Sequence, residues 1–190
     1  MSDASIDRPL FVIGTGRSGT TLAFNMLMQH PDLAWPSQHM IEGDYDRYDR
    51  RQIALRRIPL LGVLFARWPL RHRPVAEPYA LWERFDPSFA RPSHDLTASD
   101  VSDMARTGMP AAVAGQQCAM GKQRFLSKYT GWSRCGYVST IFPAALFLHV
   151  VRDGRAVANS LVRQPWWRGR EGPQAWRWGS LSPEDEALWE

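Results

Sequence analysis

Cysteine is scarce in this chain: Cys118 and Cys135 are the only two among 190 residues. Two thiols cannot frame a disulfide scaffold, and neither stands in a C-x-x-C pair or a zinc-ligand pattern. The expectation is therefore two buried free thiols in a reducing, cytoplasmic setting. No apolar run approaches the ~20 residues that a membrane-spanning helix requires. The N-terminal stretch, residues 1–9, is polar and acidic, unlike a secretory signal. Internal repeats, low-complexity tracts and nucleic-acid-binding motifs are lacking as well. Neither sign of charge dominates: 23 Lys and Arg stand against 19 Asp and Glu, a net +4. That mild basicity suits an anionic ligand rather than nucleic acid. What is present is apolar material, 44% of the residues, enough for one core in a single domain spanning 1–190.

The most informative segment is Phe11-Val-Ile-Gly-Thr-Gly-Arg-Ser-Gly-Thr-Thr-Leu22. A short apolar run ends in a glycine-rich turn, and two hydroxyl residues open a helical pattern. This is how a chain cradles a phosphate-like anion: loop and helix N-terminal N–H groups all point at it. Gly14 and Gly19 have Walker A spacing, but position 20 is Thr where a kinase or ATPase carries Lys. The cation is Arg17, inside the loop. The cradle is retained and the charge moved, which points to a phosphate-bearing ligand other than a nucleoside triphosphate.

Hydrophobic periodicity predicts a strand over 10–14 and a helix over 20–30 with Leu22, Met26 and Leu27 on its apolar face. Residues 38–73 read as polar, arginine-rich and broken by Pro59 and Pro69; residues 76–92 read as irregular with short helices. Further helices are expected over 99–107, capped by Ser99, over 132–142 and over 153–163, and strands over 124–128 and 145–151. His149, inside the last strand, is expected in the core. Strands alternating with helices imply a parallel sheet covered on both faces.

The strand over 145–151 ends in Val151-Arg152-Asp153-Gly154-Arg155, and Ser160 follows Arg152 by eight residues. An arginine at a strand's C-terminal end, with a hydroxyl about two helical turns on, can converge on one phosphate. The alternative is that Arg152 pairs with Asp153 or caps a carbonyl. With the loop, the pair suggests one ligand carrying two separated phosphates.

These two motifs resemble those of the sulfotransferases that use 3′-phosphoadenosine 5′-phosphosulfate (PAPS). Gly16-Arg17-Ser18-Gly19-Thr20-Thr21 is similar to the family's 5′-phosphosulfate loop. Arg152 and Ser160, preceded by Phe142-Pro143-Ala144, are similar to its 3′-phosphate site. The likeness covers roughly residues 9–40 and 124–164. It implies a P-loop NTPase-like three-layer α/β fold with a central parallel sheet flanked by helices. It implies sulfuryl transfer to a hydroxyl or amine of a small-molecule or glycan acceptor, leaving adenosine 3′,5′-bisphosphate and needing no metal. It assigns Arg17 to the phosphosulfate and its bridging oxygen, Gly16, Ser18, Gly19, Thr20 and Thr21 to the 5′-phosphate, and Arg152 and Ser160 to the 3′-phosphate. Arg17 replaces the lysine of one branch, and Gly154 stands where Pro is frequent. The family's later glycine- and lysine-rich segment is not recognisable, so the chain is expected to lack a C-terminal portion.

Transfer needs a second cation and a base. Lys128, in Leu126-Ser127-Lys128-Tyr129-Thr130, resembles the family's catalytic lysine element; otherwise it is a solvated surface lysine. Counting from the His30-Pro31-Asp32 turn, the base falls on His39, with Glu42 as the other candidate. The arginines between 47 and 73 form either a solvated helix face or an acceptor or membrane-surface element. The tryptophans near the end, Trp166, Trp167, Trp176, Trp178 and Trp189, suit core packing or an apolar acceptor pocket. Two other readings stand beside transfer: a P-loop kinase or nucleotide hydrolase, and a non-catalytic nucleotide-binding remnant of a sulfotransferase.

Overall fold

The sheet is built from strands whose alternate residues face opposite layers. A computed structural model describes residues 6–37, 40–41, 77–89, 95–164 and 183–187. In chain order these contain β1 (Leu10–Ile13), α1 (Thr20–Leu27), β2 (Leu33–Ala34), α2 (Tyr79–Phe85), a 3-10 turn (Ala98–Asp100), α3 (Asp103–Met120), β3 (Arg124–Lys128), α4 (Cys135–Ile141), β4 (Leu146–His149), α5 (Gly154–Leu161) and α6 (Pro183–Ala187). The four strands lie in the order β2-β3-β1-β4. All pairings are parallel, with Val12 beside Lys128 on one side and Leu148 on the other. The expected parallel α/β sheet is therefore present, and every strand delivers its C-terminal end to the same edge.

β1 sits between two neighbours, and both of its faces are covered. Phe11 and Ile13 join the larger core with Phe125, Tyr129, Trp82 and the buried face of α3. Val12 joins Phe24, Leu33 and Leu126 beneath α1. This is the period-2 alternation of a doubly covered strand. In the larger core the Trp82 and Phe89 rings stack at 4.5 Å with an interplanar angle of 8°. Phe11 meets Phe142 and Phe147 at 5.8 and 5.9 Å. Each fully buried aromatic of this kind contributes about 2–3 kcal/mol of transfer free energy.

Several local expectations are revised. α1 is anchored by Phe24, not by Leu22 and Met26, which are exposed. Ala23 and Leu27 pack beside Phe24 against Val12, Leu33 and Leu126. The helix expected over 99–107 is two elements. Thr97 and Asp100 form a reciprocal capping box on the 3-10 turn, and Ser102 Oγ accepts from Ala105 N at 3.1 Å to start α3. α3 then runs on through Pro110 to Met120. The carbonyl that Pro110 leaves without a partner belongs to exposed Arg106, which water can serve. Buried Ala105, Met109, Ala112, Val113 and Gln116 hold the helix against the sheet at helical spacing. His149 is exposed rather than packed in the core, because β4 is an edge of the sheet among the described residues. Cys118 is exposed and Cys135 half-buried, so neither thiol is enclosed as expected.

Candidate active site

The loop after β1 is tight because glycine permits it. Gly14 has φ +149°, and a Cβ there would stand 2.5 Å from the carbonyl oxygen of Val150. Only glycine lets β1 leave the sheet this close to the end of β4. Ser18 closes the turn: its Oγ donates to the Thr15 carbonyl at 2.6 Å, and its N–H to the same oxygen at 3.2 Å. Arg17 and Gly19 hold left-handed backbone at φ 69° and 104°. α1 begins at Thr20 with no side-chain cap from Gly19. Its first N–H groups and positive dipole end are thus presented at the loop.

The second motif arrives at the same place. Val150 N donates to the Ile13 carbonyl at 2.9 Å, so the chain after β4 emerges directly beside the loop. Arg17 Nε donates to Ser160 Oγ at 3.0 Å. Arg152 Nη1 donates to the Arg17 carbonyl at 3.1 Å. The two motifs are therefore in contact. Arg152 does cap a carbonyl, but that carbonyl belongs to the glycine-rich loop; Asp153 pairs with Arg155, at 2.7 Å, and not with Arg152. Asp153 also accepts from Arg155 N at 2.8 Å and so caps α5, the helix that carries Ser160. These bonds, with the Arg155 side chain foremost, hold the Asp153 carboxyl below its usual range.

The donor set suits a phosphorylated nucleotide. Two guanidiniums, the hydroxyls of Thr20, Thr21 and Ser160, and uncapped helix N–H groups can all donate to oxyanions, whereas the Ser18 hydroxyl is already given to the Thr15 carbonyl. No carboxylate among the described residues forms an ion pair with Arg17 or Arg152. Arg17, Arg152 and Ser160 are solvent-accessible, whereas Ser18 and Thr20 are buried in the loop.

Lys128 lies at the end of β3, one strand from the loop. It is not a surface lysine: it is 1% exposed, and its Nζ is 2.6 Å from Glu77 Oε1. By register it shares a sheet face with Val12 and Leu126, the face that α1 covers. Backbone bonds tie the turn beyond it to β1: Tyr129 N to the Val12 carbonyl and Gly131 N to the Gly14 carbonyl, both at 3.2 Å. Glu77 also accepts from Thr130 Oγ1 at 3.1 Å. Tyr79 Oη donates to the Thr130 carbonyl at 2.6 Å and accepts from Thr130 N at 3.0 Å. Burial raises the Tyr79 phenol above its usual range, against the Thr130 bonds. Sequence reading missed Glu77 and Tyr79; they sit in a proline-broken stretch with no spacing that relates them to β3.

His39 and Glu42 lie outside the described residues. Between them Met40 is fully buried, its N–H donating to Ser37 Oγ at 3.2 Å. Gln116 of α3 holds the same segment through the Trp35 carbonyl at 3.0 Å. The segment leaves β2 at the edge that carries the loop. The arginine-rich stretch from Arg47 to Arg73 and the tryptophans from Trp166 onward also lie outside the described residues.

Among the described residues no helix is long and apolar enough to cross a membrane, and no group of three His, Cys, Asp or Glu could hold a metal ion. The chain matches the family model described as "Sulfotransferase family" over residues 9–177. No curated protein and no solved structure matches it.

Proposed function

The chain belongs to the sulfotransferase family, and from that premise we propose that it transfers a sulfuryl group from PAPS to a hydroxyl or amine of a small-molecule or glycan acceptor. One observation carries this reading: Arg17, Ser160 and Arg152 meet at the junction of the two motifs. A ligand with phosphates at two positions of one nucleoside engages both motifs at once; one with a single phosphate chain engages the loop alone.

In this reading Arg17, Gly16, Ser18, Gly19, Thr20 and Thr21 hold the 5′-phosphosulfate, and Arg152 and Ser160 hold the 3′-phosphate. PAPS supplies the activated sulfuryl group, with a phosphate as its leaving group. Arg17 neutralises charge that grows on the leaving oxygen, and Lys128 adds a second positive charge one strand away. Positioning and preorganised charge then supply most of the acceleration, as in phosphoryl transfer. No metal enters the reading, because the loop's arginine takes the place a metal-assisted cation would have. A reducing, cytoplasmic setting fits two thiols that stay free.

A thermal-shift titration tests the reading. Adenosine 3′,5′-bisphosphate at a hundred times its Kd should stabilise the fold by about 2.7 kcal/mol. ATP with magnesium should not. Preference for ATP would favour a kinase or hydrolase, and no response to either would favour a remnant with an incomplete site. Transfer of labelled sulfate from PAPS to any acceptor completes the test.

A further inference from the structure

Lys128 is 1% exposed and Glu77 is its ion partner, yet the pair does not close on itself. A buried ammonium requires a counter-charge, and a carboxylate can provide one with either or both of its oxygens. Here both donors use the same atom. Lys128 Nζ at 2.6 Å and Thr130 Oγ1 at 3.1 Å both bond Glu77 Oε1. Oε2 has no bond from any described residue, and the Glu77 side chain is 33% exposed.

The backbone around this carboxylate is fixed. Tyr79, two residues after Glu77, binds both the N–H and the carbonyl of Thr130. Thr130 itself lies between two residues bonded to β1 and the anion loop. Glu77 is thus held at the sheet edge where the loop opens, with one oxygen bonded twice and the other without a bond from any described residue. A general base needs that arrangement: an ionised group, an orienting partner, and a free lone pair within reach of the reactant. Lys128 orients the carboxylate through Oε1 without occupying the other oxygen.

We propose that Glu77 is the base that accepts the acceptor's proton, an inference that rests on the transfer reading above. The O–H bond of the acceptor hydroxyl breaks and its proton passes to Glu77 Oε2. The oxygen's electron pair forms the new O–S bond. The bond from sulfur to the bridging oxygen breaks, and its pair stays on the departing phosphate beside Arg17. Lys128 balances the charge of Glu77 before the proton moves and that of the departing phosphate afterwards.

The test uses the full chain and two readouts. Affinity for adenosine 3′,5′-bisphosphate is measured by calorimetry. Transfer from labelled PAPS is measured to a panel of phenols and sugars, with water as the remaining acceptor. Glu77→Gln should keep the bisphosphate affinity within about threefold and lower transfer by about 10²- to 10⁴-fold. Glu77→Ala should regain part of its lost rate when formate is added, which a purely structural carboxylate would not show. Glu77→Asp, which keeps the charge opposite Lys128, guards against misfolding and should be slow but still bind. Wild-type rates in Glu77→Gln or Glu77→Asp would overturn the proposal. So would loss of bisphosphate binding in all three variants, which would assign Glu77 to structure. A loss in His39→Ala that imidazole rescues, without formate rescue of Glu77→Ala, would move the role to His39. A wild-type chain that does not bind the bisphosphate would instead sink the transfer reading itself; one that binds it but transfers to nothing would sink both.

Discussion

Arg17 Nε and Ser160 Oγ are 3.0 Å apart although 143 residues separate them in the chain. The contact exists because β1 and β4 are neighbours in a parallel sheet, so the turns after each strand emerge side by side. Arg152 strengthens the junction by donating to the Arg17 carbonyl. Two sequence motifs become one site through strand order.

Bisphosphate binding should depend on both motifs together. Arg152→Ala should weaken adenosine 3′,5′-bisphosphate by about 2–3 kcal/mol, a loss of about 30- to 150-fold, measured by calorimetry. Arg17→Ala and Ser160→Ala should be non-additive in a double-mutant cycle, with a coupling of about 0.5 kcal/mol or more, because their side chains touch. Strict additivity would separate the two motifs functionally.

Gly14→Ala should damage both fold and site. The new methyl would meet the Val150 carbonyl, a backbone atom that cannot swing aside, and φ is +149°. Strain of this kind costs about 1–3 kcal/mol before any clash is counted. Urea denaturation should show at least that loss, and bisphosphate binding should fall with it. A Gly14→Ala chain of unchanged stability would mean that the β1–β4 spacing relaxes freely.

The start of α5 should respond to acid. Asp153 caps the helix through Arg155 N, and its carboxyl is held below the ordinary 3.8 by the Arg155 side chain first and that N–H second. A carboxyl lowered in the folded state contributes stability that is complete above its unfolded value of about 3.9 and lost as pH falls through the folded value. Amide shifts of Ala156 and Val157 should therefore hold steady from neutral pH to about pH 5 and move only in stronger acid. Asp153→Asn should abolish that movement.

Pro110→Ala should stabilise the chain. Proline within α3 removes one helical hydrogen bond, and Ala is the best helix former. A gain of about 1–3 kcal/mol in urea unfolding, with unchanged bisphosphate binding, is the expected outcome. A loss would show that the ring's own packing outweighs the missing bond.

Much of the fold was legible because alternation and glycine placement are local signals. Leu10 to Ile13, Arg124 to Lys128 and Leu146 to His149 are strands as their apolar runs predict. The errors have physical causes. The helix expected over 99–107 ended too early, because Met109, Ala112 and Val113 bury enough surface to carry α3 past Pro110. His149 looked internal because a short apolar run does not say whether its strand is central or at an edge. Lys128 carried two readings, and burial beside Glu77 excludes the surface one. Glu77 itself carried no signal: nothing in Val75-Ala76-Glu77-Pro78 specifies an ion pair with a residue 51 positions on.

The linear order of residues by itself determined the glycine-rich turn, the arginine–serine spacing and the parallel α/β class, since each depends on neighbours within one strand–turn–helix unit. Only the tertiary structure decided that these units touch, that Lys128 is buried, and that Glu77 answers it with one oxygen left open. The reason is that strand order and burial follow from packing distant apolar faces against one another, which sets distances no local spacing encodes.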